Sequence, residues 1–413
     1  MNTNLPLAEL FALFKRSPAF KRVFLADLAT QLGDGGLLVA FPLLVLHGTH
    51  DVTLTGLAFS FEILAFGLLS PVAGSLADRL EQKALMVGAN LVRVALLGAL
   101  LLALALALPV GVCLGLSALL GATGAFFVPA RAAFLRRLLA GEALAQAVAL
   151  EGTMAFLVRV VSPALMGVVV AAFPPTVAVW ADILAYGVAA LLLAPCWVTG
   201  PRVAAAEGPG ADWLQGWRVI GASRALRELL MLDMLLSLVG MAAFSITLAY
   251  LETVLHLPGR TNGWLLATTG LAGAVGTQLA GRLPAGPGWY ALLPGMIAIT
   301  YMLVPAMPGL AGMMAVWALR GVAIGALCVL FNQAIARETP PEAMGRVTAA
   351  WGLAACLASF AGSMASPILL RTVGAASSFV LFGALLTLLA LGLAGRSLVA
   401  PLLAVRAASH VRS

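Results

Sequence analysis

The chain has 413 residues, 62% of them hydrophobic and 10% charged, with a formal net charge of +7. Soluble domains average about a quarter charged residues, so a chain this poor in charge lacks the polar residues to cover soluble domains of its length. Most soluble enzymes, disordered scaffolds and secreted disulfide modules are excluded, and the mean hydropathy of +1.03 points to a membrane.

A bilayer core about 30 Å thick needs roughly 20 apolar residues in helix. Walking the chain with that measure gives six spans in the first half, at about 22–46, 54–76, 84–108, 110–134, 147–172 and 175–197. Six more follow at about 228–255, 262–281, 289–307, 309–335, 347–371 and 375–397. A tight turn at Pro109 is expected between the third and fourth, because one helix of about fifty residues cannot be fitted into a single crossing. The first span is too long for a cleavable signal peptide and holds Asp27 and Asp34. The expectation is an all-α membrane protein of twelve transmembrane helices in two pseudo-symmetric six-helix bundles, 1–197 and 228–413. A cytoplasmic linker, 198–227, joins them, with a short amphipathic helix around Trp213–Ile220.

The basic residues are distributed unevenly. Lys15, Arg16, Lys21 and Arg22 precede the first span, and the alternate loops continue the series. They hold Arg79 and Lys83, Arg136 and Arg137, Arg202, Arg218, Arg224 and Arg227, Arg282, then Arg337 and Arg346. Arg396, Arg406 and Arg412 follow at the carboxyl end, and Arg93 and Arg131 count with this side as residues near span ends. The other side keeps Arg260 and Arg371. By the positive-inside rule both termini are expected in the cytoplasm of a bacterial inner-membrane protein. The positive charge therefore reads as a topology signal and not as a nucleic-acid footprint.

The halves echo each other about 200 residues apart, as internally repeated transporters do. AGSLADRLEQKALM at 73–86 has a counterpart in AGRLPAGPGWYALL at 280–293, GAFFVPARAA at 124–133 in GALCVLFNQA at 325–334, and VSPAL at 161–165 in ASPIL at 365–369.

GSLADRLEQK at 74–83 resembles the G-x-L-A-D-R-x-G-R-K/R motif of the major facilitator superfamily, with Gly74, Leu76, Ala77, Asp78, Arg79 and Lys83 matching and Glu81 replacing the second glycine. The resemblance implies a conformational latch made by Gly74, Asp78, Arg79 and Lys83, joined by Arg131 at the end of the fourth span. SPAFKRVFLADLATQLGD at 17–34 and FFVPARAAFLRRLL at 126–139 are similar to the branch containing macrolide-efflux and enterobactin-exporter proteins. SPALMG at 162–167 resembles the antiporter motif G-P-x-x-G-G, keeping Pro163 and Gly167 while Ser162 and Met166 replace glycines. Lysophospholipid transporters of the same superfamily are similar too. In this fold spans one, four, seven and ten are expected to line a central cavity.

A charge near the bilayer centre costs about 2.5–3.5 kcal/mol on insertion scales and is by default a functional hypothesis. Asp34 sits midway along span one, with Gln31 and Asp27 on the same face, so the three form a polar stripe. Glu62, Arg159, Asp182 and Arg320 fall inside spans two, five, six and ten, and Glu151 and Asp233 lie nearer the inner ends of five and seven. Two arginines cannot neutralise all these acids, so some carboxylates must carry a proton part of the time. Asp34, then Glu62, is the expected coupling acid. Arg159 and Arg320 are candidate partners or substrate contacts, and Asp27 and Asp182 candidate packing polars.

The leading expectation is a proton-coupled exporter of amphipathic, drug- or siderophore-like molecules, monomeric and needing no cofactor beyond the proton gradient. A lysophospholipid transporter or flippase is the alternative. A membrane enzyme is a distant third, since HExxH, GxGD and GxSG are absent. Cys113, Cys196, Cys328 and Cys356 stand singly in apolar runs, and neither they nor His47, His50 and His256 have metal-site spacing.

Overall fold

The computed structural model of the protein describes residues 14–15, 17–49, 54, 60–139, 141–196, 213–258, 261–280, 288–307, 309–340 and 343–410. Among them are thirteen α-helices and no strand. The first half holds α1 (Pro18–Thr49), α2 (Ser60–Arg79), α3 (Gln82–Ala105), α4 (Val110–Leu138), α5 (Gly141–Ala172) and α6 (Thr176–Leu193). After the short α7 (Trp213–Ala222) come α8 (Arg224–Thr253), α9 (Asn262–Ala280), α10 (Trp289–Leu303), α11 (Gly309–Glu338), α12 (Met344–Thr372) and α13 (Ala375–His410). Among the described residues nine helices are long and apolar enough to cross a membrane by themselves. The expected spans match the helices to within one or two turns, except that α13 runs on to His410.

Local chemistry sets the boundaries. α1 opens on Ser17-Pro18: the Ser17 hydroxyl accepts from the Phe20 N–H at 3.2 Å, and a proline at the first helical position has no N–H to leave orphaned. α8 opens likewise, with Ser223 accepting from the Leu226 N–H at 3.3 Å. The turn expected at Pro109 is a Schellman cap. The Leu108 N–H donates to the Ala103 carbonyl at 2.9 Å and the Ala107 N–H to that of Leu104 at 3.1 Å, with Ala107 left-handed at φ 50°.

Both halves pack by one plan. α2 lies along α4 and α1 along α5 and α6; correspondingly α9 lies along α11 and α8 along α12. The closest approaches fall at equivalent places. A Cβ added at Gly121 would lie 2.0 Å from the Glu62 carbonyl oxygen, and one at Gly321 2.3 Å from that of Thr269. The Ser162 hydroxyl donates to the Leu32 carbonyl at 2.7 Å, and a Cβ at Gly362 would lie 2.0 Å from the Leu238 carbonyl. The SPAL and SPIL echo is one helical turn out of step with this contact, for the Ser366 hydroxyl turns to its own helix, at the Ser363 carbonyl 2.8 Å away. Between α9 and α11, Gly276 meets the Val322 carbonyl and Gly325 that of Gly273, each at 2.0 Å for an added Cβ. Small residues admit such backbone contact, a main source of helix attraction in lipid. It seats α9 although that helix carries Asn262, Gln278 and three threonines.

The two ends of the molecule differ. At the end carrying Lys83, Arg136, Arg137, Arg337 and Arg346, each half keeps its own apolar cluster. Phe20, Phe24, Phe127 and Phe134 belong to one; Ile220, Leu226, Val347 and Trp351 belong to the other, which includes the linker helix α7. At the opposite end the clusters are shared: Ala40, Leu43 and Val170 meet Leu248 and Leu266, and Met241 joins Leu37 and Phe41. There Ser60 of α2 donates to the Ser363 hydroxyl of α12, and Phe61 meets Phe360 edge to face at 5.9 Å. Among the described residues, then, the apolar clusters shared between the halves lie at the end opposite the basic residues.

Candidate transport site

Asp34 occupies the middle of α1, whose back packs on α5 and α6. Its side chain is 48% exposed, in contrast to the 8% of its partner Arg93. The Tyr186 hydroxyl of α6 donates to Asp34 Oδ1, and Arg93 Nη1 stands 3.7 Å from the same oxygen. Arg93 is fixed from behind. Its Nε donates to Thr123 Oγ1 at 3.1 Å, and its guanidinium lies 5.0 Å from the Tyr186 ring and 5.8 Å from that of Phe127. Gly124 makes room for it, since a Cβ there would come within 2.7 Å of Arg93 Nη2. Asp34 therefore has a firm hydrogen bond on one side and, on the other, a cation held at ion-pair distance without a hydrogen bond.

Arg93 is a member of this cluster that the sequence alone misplaces. It was grouped with basic residues near the span ends, yet it lies midway along α3 and its charge is spent inside the bundle. Its distance from Lys83 and from Pro109, each more than two helical turns, was the available signal.

The polar stripe expected along α1 divides in two. Asp27 takes no part in the Asp34 cluster: Arg131 of α4 pairs with it directly, and Gln31 Nε2 donates to Asp27 Oδ2 at 2.6 Å. Arg131 Nη2 also reaches Glu151 Oε2 of α5 at 3.8 Å. Arg131, expected from resemblance to join the latch, here ties together three helices of one half.

Glu62 approaches the Asp34 cluster from α2, within electrostatic reach of Asp34 and Arg93, and its Oε2 is enclosed without a hydrogen-bond partner among the described residues. Asp182 is fully buried against α1, where a Cβ at Gly36 would come within 2.4 Å of its Oδ1. Arg320 belongs to the core of the second half. It is 7% exposed, its guanidinium 3.9 Å from the Trp317 ring and 4.9 Å from the Tyr301 ring. Cation–π contact therefore takes the place of a carboxylate. Ser162 supplies the α5–α1 bond already described, and Lys83 stands half-buried at the start of α3. Gly74, Asp78 and Arg79 lie on α2 and Arg159, Pro163 and Gly167 on α5, while their side-chain environments lie outside what the structure describes.

A multi-pass helical protein of two equivalent six-helix bundles, packed on each other through α2–α12 and α5–α9 and holding charge inside the bundle, belongs to the class of two-bundle membrane transporters. The family can be named: this chain is a member of the Major Facilitator Superfamily, whose model matches residues 23–363. It is similar to the enterobactin exporter EntS of Citrobacter koseri, 28% identical over 408 residues that cover 92% of this chain and 93% of the relative. The enterobactin exporter EntS of Shigella boydii serotype 4 is also 28% identical, over 387 residues covering 86% and 88%. Among solved structures, a POT family transporter in complex with a thioalcohol conjugated peptide matches with a TM-score of 0.74 at 10% identity, covering 92% of this chain and 96% of that one. The human organic anion transporter MFSD10 matches with a TM-score of 0.67 at 18% identity, covering 91% and 98%. These last two likenesses concern the fold alone.

Proposed function

We propose that this chain exports an amphipathic, siderophore-like or drug-like small molecule by alternating access, in exchange for protons carried by Asp34. The enterobactin exporters, similar over nearly the whole chain, support the siderophore-like substrate. The observation that carries the coupling is the half-exposed Asp34 beside a buried arginine at 3.7 Å. Ionised, Asp34 accepts from Tyr186 and balances Arg93. Protonated, it leaves Arg93 without its ion-pair partner, and a polar or anionic group of the substrate is then the natural replacement. Glu62 is the second proton carrier of the same cluster.

The basic end is the cytoplasmic one by its excess of positive charge, and the halves, whose apolar clusters stay separate there, open to that side, on which an exporter loads. Gly74, Asp78, Arg79 and Lys83 close that end when the other opens. The protein works as a monomer in the bacterial inner membrane with the proton gradient as its driving force.

Proteoliposomes with an imposed pH gradient test this reading, with a catecholate siderophore, a lipophilic drug and a lysophospholipid as substrates. Gradient-driven movement of the first or second is the expected result. Lysophospholipid movement indifferent to the gradient would overturn it. For Asp34→Asn, transport with an unchanged pH dependence would remove Asp34 from the coupling role.

A further inference from the structure

The Asp27–Arg131–Glu151 constellation has a counterpart in the other half. Asp233 on α8, Phe331 on α11 and Trp351 on α12 stand about 200 residues further on, on the equivalent helices. There the Trp351 Nε1–H donates to Asp233 Oδ2 at 2.7 Å, and Phe331 packs on Trp351 with ring centroids 6.4 Å apart. That version holds one acid, one neutral donor and an aromatic wall. The first-half version holds two acids and one cation, and so carries one surplus negative charge if both acids are ionised.

Asp27 is 5% and Glu151 7% exposed. The charged groups facing these two carboxylates are Arg131 from α4, each other across α1 and α5, and Asp34 farther along α1; neutral Gln31 already donates to Asp27. Glu151 Oε1 is enclosed and finds no hydrogen-bond partner among the described residues. An unpaired buried charge is far less favourable than its neutral form, and Arg131, which pairs directly with Asp27, can fully balance one of the two acids. We infer that this constellation is a proton-binding site separate from Asp34, with Glu151 holding the proton and Asp27 remaining the ion partner of Arg131. The site does not depend on the substrate or on the role given to Asp34. Loss of its proton gives Arg131 two anions to hold, which changes how firmly α1, α4 and α5 are tied near the basic end.

Infrared spectroscopy of the full chain in phosphatidylcholine vesicles tests the inference, between about pH 6 and 8, where free carboxylates are ionised. The wild type is expected to show one more carboxylic-acid equivalent in its C=O absorption than Glu151→Gln. Glu151→Asp retains that acid at a shifted frequency, which identifies the band even where Glu151→Gln fails to fold. Asp27→Asn removes the same band, because Glu151 then becomes the anion of Arg131, and Asp34→Asn leaves it in place. An unchanged spectrum in Glu151→Gln or in Glu151→Asp would overturn the proposal. So would persistence of the band in Asp27→Asn, or its loss in Asp34→Asn, which would merge the two sites. The readout requires no transport, so its failure and that of the transport assays are distinguishable.

Discussion

Joining the halves covalently at the end opposite the basic residues should stop transport reversibly. The pair to use is Ser60 and Ser363, whose hydroxyls are in hydrogen-bond contact across α2 and α12 although 303 residues separate them in sequence. Changing both to cysteine, in a background with the four native cysteines replaced by alanine, brings two sulfurs to that spot. In the native protein the polar and aromatic part of this contact is slight. One hydroxyl hydrogen bond contributes about 1 kcal/mol, and the edge-to-face pair Phe61–Phe360 about 1 kcal/mol more. Together they bias closure by roughly 30-fold, at 1.4 kcal/mol per factor of ten, which thermal motion can overcome within a transport cycle. A disulfide cannot be opened in that way. Uptake into proteoliposomes is measured before oxidation, after it, and after reduction, with crosslinking confirmed by loss of alkylatable thiol. Transport should fall to the level of empty vesicles and return on reduction, while each single-cysteine variant stays insensitive. Undiminished transport by fully crosslinked protein would refute the idea that this end must open.

Further outcomes follow from the packing. Gly325→Ala places a methyl 2.0 Å from the Gly273 carbonyl where about 3.4 Å is ordinary contact, so α9 and α11 must part and the loss should be about 3 kcal/mol. Gly98→Ala meets nothing within 4 Å and should stabilise its helix by about 0.5–1 kcal/mol; equal thermal midpoints in detergent would sink the comparison. Arg93→Lys keeps the charge but gives up the Nε bond to Thr123 and the guanidinium's place beside the Tyr186 and Phe127 rings, so gradient-driven transport should drop by about tenfold and further still in Arg93→Met; wild-type rates in the methionine variant would show that Asp34 needs no counter-ion. Ala107→Gly relieves a left-handed alanine at φ 50° and should raise stability by about 1 kcal/mol, a gain that a lowered thermal midpoint would contradict.

The spans could be read from the sequence because the bilayer imposes one length and one polarity on every crossing, and the Pro109 turn because two crossings cannot share one helix. Asp34 was legible for the same reason, as a charge where lipid excludes charge. Its partner was not. Arg93 looks like a flanking basic residue until α3 is set against α1 and α6, and the bond to Tyr186 links positions 152 residues apart. Arg131 was assigned by resemblance to a latch, whereas its contacts with Asp27 and Glu151 require knowing that α1, α4 and α5 converge. Arg320 was expected in the cavity because α11 contributes to it, but the helix also has a back. Trp317, one turn earlier, and Tyr301 of α10 draw the guanidinium there. The tight glycines were hidden in a crowd of 43: Gly98 and Gly187 meet open space while Gly325 and Gly362 meet backbone, and composition cannot tell them apart.

The two kinds of helix contact age differently under mutation. Within each half, Gly121, Gly276, Gly321, Gly325 and Gly362 rest on carbonyl oxygens, which no substitution elsewhere can reshape, so these bundles tolerate little drift. Between the halves the described contacts include side-chain pairs such as Ser60–Ser363 and Phe61–Phe360. Each can be exchanged singly for a slightly stronger or weaker one. On the proposed alternating access, natural variation can therefore adjust how often the halves open, in small steps, while each half keeps its shape.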